Sequence, residues 1–368
     1  MRTGGICLKG TLVMMKRTIL SFELFCGLAV GAAPPEWSEA LRGPFPILSV
    51  PYEETGAVDF DVLVTEARFV ADAGVNGFIW AQSNDAIDLL SLEERKAGFE
   101  RLANAFAGSK TIVVLGCQGR TTADMEELTR DVERLATDRP AARLAIASRP
   151  PHDARTQEDL ERYYRTLAGI ARRPVIIQTY CSDKVPIPSS DLILRLSRDY
   201  PDIYGWIKEE TGGDDAVVRM RRECAAPEVK TVFSAWGSYA WPYQHRRFGT
   251  RGVISERAAY ADFLMRMWEA LEKGDVAAAD EMWSKYLLLM NLRETVTGGH
   301  LRGFNLYVLK KRGIFRNCLS REPIAKDDIS GKWKLEDRVF TADEIAEIEA
   351  RLAWLRPYFT LSTNTIGN

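Results

Sequence analysis

A lysine that closes an apolar run is the residue of this chain best suited to covalent chemistry. Lys208 ends IYGWIK (203–208) and is followed by Glu209 and Glu210. An amine held among apolar neighbours loses proton affinity, and its neutral form attacks a carbonyl carbon to give an imine. If the run is a strand, alternation puts Tyr204, Trp206 and Lys208 on one face. Glu209 then points the other way, and Glu210 returns to the lysine's side. A strand-end lysine that merely pairs with a glutamate is the competing reading of the same position. A second cluster lies in IIQTY (176–180), where Gln178 and Tyr180 share a face. Two residues along a strand advance the chain by roughly 6.5–7 Å, about the length of a tyrosine side chain. The Tyr180 phenol is therefore expected to fold back over a group beside Gln178 and to transfer protons there.

Other chemistries find little support. The histidines are His152, His245 and His300, with no HxH or HExxH pair, which excludes barrel hydrolases built on several histidines and a metal. Neither a metal nor an organic cofactor is expected. The six cysteines show no CxxC and read as reduced thiols, which favours the cytoplasm. The formal net charge is −2, with both signs mixed along the chain, so nucleic acid is not an expected partner. No run reaches the roughly 18 apolar residues of a membrane span. Residues 15–33 carry Lys16 and Arg17 ahead of ILSFELFCGLAVGAA, a pattern similar to a signal peptide although Glu23 interrupts it. An exported form follows if that segment acts as one.

The elements that must position these groups form a regular series. Apolar runs occur at PILSV (46–50), VNGFIW (75–80), TIVVLG (111–116), RLAIAS (143–148), PVIIQT (174–179), IYGWIK (203–208), KTVFSA (230–235) and GVIS (252–255). Each is short and rich in Val and Ile, as strands buried on both faces are. Helix-period stretches separate them, several opened by a Ser, Thr or Asp cap such as Ser91 with Glu94 three residues on. Eight such repeats predict a parallel (β/α)₈ barrel, with functional residues at the carboxyl ends of its strands. The expected division is a tail over 1–42, the barrel core over 43–257, and over 258–368 the last barrel helix with a helical appendage in which strands stop.

On these motifs the chain resembles the dihydrodipicolinate synthase / N-acetylneuraminate lyase family of class I aldolases and dehydratases, from about residue 43 to 356. GPFPILSVPYEETGAVDFDVL is similar to the family's opening strand, and VVLGCQGRTT to its third. YGWIKEETG matches its Gly-(any)-Ile-Lys-Glu segment, which places the Schiff-base lysine at Lys208. GTRGVIS matches its Gly-(any)-(any)-Gly-(Val/Ile)-Ile-Ser segment and puts Ile254 among the substrate-binding residues. The resemblance implies a homo-oligomer, dimer or tetramer, that acts on a small keto acid or sugar acid.

Departures from the family pattern redistribute the roles. QSNDA stands where the family has Gly-Thr-Thr-Gly-Glu, so Ser83 and Asn84 take the place of the threonines that bind the keto acid's carboxylate. Gln178 and Thr179 replace a catalytic Tyr-Asn pair; Gln178 is expected to orient the substrate and Thr179 to contact it. The arginine that some members use for a second carboxylate falls on Asp183. A tyrosine that some members lend across a dimer interface falls on His152, an alternative proton relay. The resulting expectation is a Schiff-base lyase, aldolase or dehydratase, for a 2-keto acid such as a 2-keto-3-deoxy sugar acid, with pyruvate as product or co-substrate. Its rival is a non-catalytic barrel that binds keto acids or sugar acids.

Overall fold

Eight short parallel strands order themselves β1-β8-β7-β6-β5-β4-β3-β2. They are β1 (Gly43–Pro44), β2 (Gly77–Trp80), β3 (Ile112–Gly116), β4 (Arg143–Ser148), β5 (Val175–Gln178), β6 (Trp206–Glu209), β7 (Thr231–Ser234) and β8 (Gly252–Val253). The two ends of this sheet meet through Ile47, which bridges Ile79 on β2 and Arg257 beyond β8. Ile79 N–H donates to Pro46 O at 3.0 Å and Leu48 N–H to Ile79 O at 2.9 Å, so the chain after β1 completes the barrel wall. This computed structural model describes residues 35–83, 87–180, 185–296, 301–324 and 331–361. The segment 15–33, Asn84, Asp183 and His300 lie outside the described residues.

Period-two patterning builds two apolar layers. Phe45, Ile47, Ile79, Ile112, Val114, Ala145, Ala147, Ile176, Trp206, Phe233 and Ile254 fill the barrel interior. Their strand neighbours Phe78, Val113, Leu115, Leu144, Ile146, Ile177 and Ile207 pack outward against the helices. The small Ala145 and Ala147 leave room for the bulky Trp206, the volume compensation a closed barrel requires. Leu41, with Trp37 of the short 3₁₀ turn before β1, plugs the amino-terminal end.

The helices between strands are α1 (Phe60–Asp72), α2 (Leu92–Ala105), α3 (Thr122–Asp138), α4 (Gln157–Ile170), α5 (Ser190–Asp199), α6 (Gly213–Ala225) and α7 (Gly237–Phe248). Reciprocal capping boxes at Ser91–Glu94, Thr121–Asp124 and Thr156–Asp159 start three of them directly after strand-end loops. The eighth barrel helix is α8 (Ala261–Glu272), followed by α9 (Val276–Val296), α10 (Leu301–Lys311) and, near the end, α11 (Ala342–Leu352). No helix among the described residues is long and apolar enough to cross a membrane.

Three expectations need correction. Strands do not stop after residue 258: β9 (Leu319–Pro323) and β10 (Trp333–Asp337) pair as an antiparallel hairpin. Its residues are mostly polar and half-exposed, so no apolar run marks it. The first strand pairs with β8 at Gly43–Pro44, ahead of the expected PILSV, whose Ile47 only bridges. Tyr204 does not share the face of Trp206 and Lys208. Gly205 adopts φ +120°, which breaks the alternation, and Tyr204 turns outward to donate its hydroxyl to Tyr164 O at 2.5 Å.

Candidate active site

Lys208 occupies the carboxyl-terminal end of β6 and projects into the barrel above Trp206, with its side chain 1% exposed. Its Nζ reaches two polar groups, Glu210 Oε2 at 3.3 Å and Gln82 Oε1 at 3.5 Å. Burial pulls the Lys208 ammonium below the ordinary lysine range. Glu210 opposes that shift by attraction and hydrogen bonding, while the positive charges of Arg257 and Arg149 reinforce it. The site therefore favours a neutral, nucleophilic amine more than water does.

Gln82 arrives by an unusual route. Ile79 points inward and Trp80 outward, so continued alternation would send Gln82 away from the interior. Ala81 instead takes φ +64°, a left-handed conformation that is costly for a residue with a Cβ. The bend is held from β3 and its loop. Gln118 Nε2 donates to Ala81 O at 2.8 Å, and the buried Arg95 donates to Gln118 O at 2.7 Å and Gly116 O at 2.5 Å. Gly116 is required here, since a Cβ on it would lie 1.9 Å from Ala81 O. The Nε2 of Gln82 and the hydroxyl of Ser83 are buried without a hydrogen-bond partner among the described residues. The unspent donor of Gln82, whose Oε1 lies 3.5 Å from Lys208 Nζ, together with that of the adjacent Ser83, suits an acceptor-only group such as a carboxylate.

The opposite wall comes from β5 and the turn after β6. Gln178 pairs in register with Lys208 and donates from Nε2 to Glu210 Oε2 at 2.7 Å. Thr179 turns outward: its Oγ1 accepts from Glu210 N–H at 2.6 Å and lies 3.1 Å from Glu209 Oε1. That makes it a positioning residue for the turn rather than the expected substrate contact. Glu209, fully buried on the outer face, also accepts from Thr211 N–H at 2.8 Å and from Arg219 Nε at 3.0 Å. Glu223 on α6 joins this cluster through Arg219 at 3.2 Å and Ser190 Oγ at 2.6 Å.

The remaining expected residues divide between the interior and the rim. Ile254 is buried inside the barrel beyond β8. Tyr180 lies past the end of β5 with the Arg149 guanidinium 5.5 Å from its ring. Arg149, one residue past β4, also reaches Asp88 Oδ2 at 3.0 Å and His152 Nε2 at 3.2 Å. His152 thus belongs to the Asp88–Arg149 rim cluster; burial lowers its pKa, and attraction to Asp88 partly offsets this. The structure joins Lys208, Gln178, Gln82 and Glu210 into one contiguous group. Of these, Gln82 escaped the sequence because nothing about an alanine announces a left-handed bend. Arg149 was within reach, since alternation from Ala145 and Ala147 points it inward past a strand end.

An eight-stranded parallel barrel with a buried lysine at the carboxyl end of its sixth strand defines the class of protein by fold, a (β/α)₈ barrel with its candidate site at the strand ends. Comparison makes the assignment specific: the profile of the dihydrodipicolinate synthetase family matches residues 40–341, and the chain belongs to that family of class I aldolase-type lyases and synthases. It is 25% identical over 241 residues to a 4-hydroxy-tetrahydrodipicolinate synthase of Bacillus subtilis (strain 168), covering 65% of this chain and 79% of that one. A synthase of the same description from Laribacter hongkongensis (strain HLHK9) is 27% identical over 244 residues, covering 65% and 78%. The fold is shared with N-acetylneuraminate lyase from Fusobacterium nucleatum, with TM-score 0.70, 17% identity, and coverage of 87% of this chain and 100% of that one. It is shared also with a prophage protein of E. coli K12 from the dihydrodipicolinic acid synthase family, solved in complex with pyruvate. That match has TM-score 0.67, 17% identity, and coverage of 86% and 99%.

Proposed function

We propose that Lys208 forms an imine with the carbonyl carbon of a 2-keto acid, and that the protein is an aldolase or dehydratase for a compound such as a 2-keto-3-deoxy sugar acid. The observation that carries this reading is the amine itself, 1% exposed at the strand end and with its pKa lowered by burial. The imine withdraws electrons from the adjacent carbon and stabilises the enamine left when a carbon–carbon or carbon–oxygen bond breaks. Gln82 Nε2 and Ser83 Oγ supply donors for the acid's carboxylate, and Ile254 an apolar wall. The family relative crystallised with pyruvate supports pyruvate as product or co-substrate.

The test is reductive trapping. Incubation with pyruvate and borohydride should add one reduced pyruvyl group, mapped by mass spectrometry to the peptide containing GWIKEE. Lys208→Arg should abolish the adduct, because a guanidinium stays protonated and is a poor nucleophile. An adduct on another residue would defeat the reading. Saturable keto-acid binding with no adduct from any 2-keto acid would favour a non-catalytic binding barrel.

A further inference from the structure

We propose that Glu210 is the catalytic acid–base residue of this site, which rests on the Lys208 imine proposed above. Three observations support it. Glu210 Oε2 is 3.3 Å from the reacting nitrogen, close enough to exchange protons with groups on its own side of the imine carbon. Its backbone is pinned by Thr179 Oγ1 at 2.6 Å, and its carboxylate is aimed by Gln178 Nε2 at 2.7 Å. Its side chain is 22% exposed while that of Lys208 is 1% exposed, so the Glu210 side chain has an opening to solvent that the amine lacks. A carboxylate retained only to neutralise a buried lysine has no need of that opening.

The Gln178 amide adds an orientation argument. A carboxylate can only accept, so the amide must present its nitrogen to Glu210, which leaves Oε1 facing elsewhere, buried and without a partner among the described residues. That oxygen is a free acceptor for a hydroxyl of the bound acid. Gln178 cannot itself shuttle a proton, and the Tyr180 ring is engaged by Arg149 at 5.5 Å.

The proton balance is as follows. Lys208 ammonium gives a proton to the Glu210 carboxylate and, as the free amine, attacks the keto carbon. One proton moves from the new ammonium to the carbinolamine oxygen and the second comes from Glu210. Water departs and leaves a protonated imine. In the next step the Glu210 carboxylate removes a proton from the carbon beside the imine. The C–H pair becomes the enamine double bond, and the C=N pair returns to nitrogen. Protonation of that carbon by Glu210 reverses the step.

Pyruvate in deuterium oxide tests this without knowledge of the natural substrate. The wild-type protein should exchange the methyl protons of pyruvate, followed by proton NMR. Glu210→Gln should form the imine more slowly but still reach the borohydride adduct at Lys208 on long incubation, which also proves its site folded, while exchange measured on the loaded protein falls by about 10²–10⁴-fold. Tyr180→Phe should exchange at the wild-type rate. Trapping with undiminished exchange in Glu210→Gln, or loss of exchange in Tyr180→Phe alone, overturns the assignment of Glu210 and leaves the imine standing. Absence of an adduct on the wild-type protein overturns both. Should Glu210→Gln fail to fold, Glu210→Asp decides: the carboxylate withdrawn by one methylene should still reach the full adduct, but exchange at least about tenfold more slowly, and wild-type exchange would refute the proposal.

Discussion

The side chains around Lys208 set opposing demands on one amine. Burial lowers its proton affinity, Glu210 restores part of it, and the charges of Arg257 and Arg149 lower it further. The same surroundings leave Gln82 Nε2 and Ser83 Oγ as donors with no acceptor among the described residues. If they hold the keto acid's carboxylate, replacing Gln82 by Leu and Ser83 by Ala together should weaken pyruvate binding by about 1–3 kcal/mol. The pyruvate concentration for half-maximal trapping reports it, and an unchanged value would assign the loop another task. At this scale the sequence revealed the residues whose chemistry is intrinsic, Lys208 and Gln178 at strand ends. Glu210 was visible too, but only as a negative charge hostile to a neutral amine. Its role depends on which side of the lysine is open, and a sequence carries no such information.

Elements convert alternation into placement, and they fail where the backbone leaves the pleat. The β3 to β5 runs were legible almost to the residue, because Val and Ile buried on both faces leave little else to form. The bend at Ala81 and the twist at Gly205 were not, since both depend on a left-handed or positive φ imposed by neighbours. The junction of β6 with α6 shows how such placement is stabilised and what it costs. Glu209 is locked to Thr211 and Arg219, and beside it Glu223 is pushed up to about 8 by burial and by the charge of Glu209. The folded protein therefore keeps a proton that the unfolded chain, with its carboxyl near 4.5, has released across that window. Stability contributed here falls as pH rises from about 5 to 8, with a slope of up to about 1.4 kcal/mol per pH unit. Glu223→Gln is neutral at every pH and should gain on the wild type over that range, then hold a constant difference above it. Urea denaturation of both proteins at several pH values measures the gap; a gap independent of pH would place the retained proton elsewhere.

The appended helices, which the sequence disclosed, pack apolar side chains such as Leu289, Phe304 and Ile348 into the outer core. Charged and aromatic contacts fasten the rest of the tail, including the hairpin that hydropathy did not disclose. Arg312 pairs with the buried Asp262 through two hydrogen bonds, at 2.9 and 2.8 Å, and lies 4.0 Å from the Phe359 ring. The hairpin is fastened similarly. Arg321 donates to Glu94 Oε1 at 2.6 Å and to Gly56 O at 2.8 Å, with the rings of Trp333 and Tyr52 at 4.2 and 4.8 Å from its guanidinium. It thereby joins the tail to the turn before α1 and to the capping box that opens α2, whose next residue is Arg95. From Arg95 the hydrogen bonds run through Gln118 and Ala81 to the residue that touches Lys208. Removing Arg321 leaves Glu94 without its cation, but with 27% of the Glu94 side chain exposed, water recovers part of the loss. Arg321→Ala should therefore cost about 2–4 kcal/mol, somewhat less than breaking a fully buried pair. It should lower the thermal midpoint and speed hydrogen exchange first in β9 and β10. Arg321→Lys keeps the charge but loses the planar fork, so it should recover only part of the stability. If both variants melt like the wild type, the hairpin is a passive extension and the barrel holds its mouth unaided.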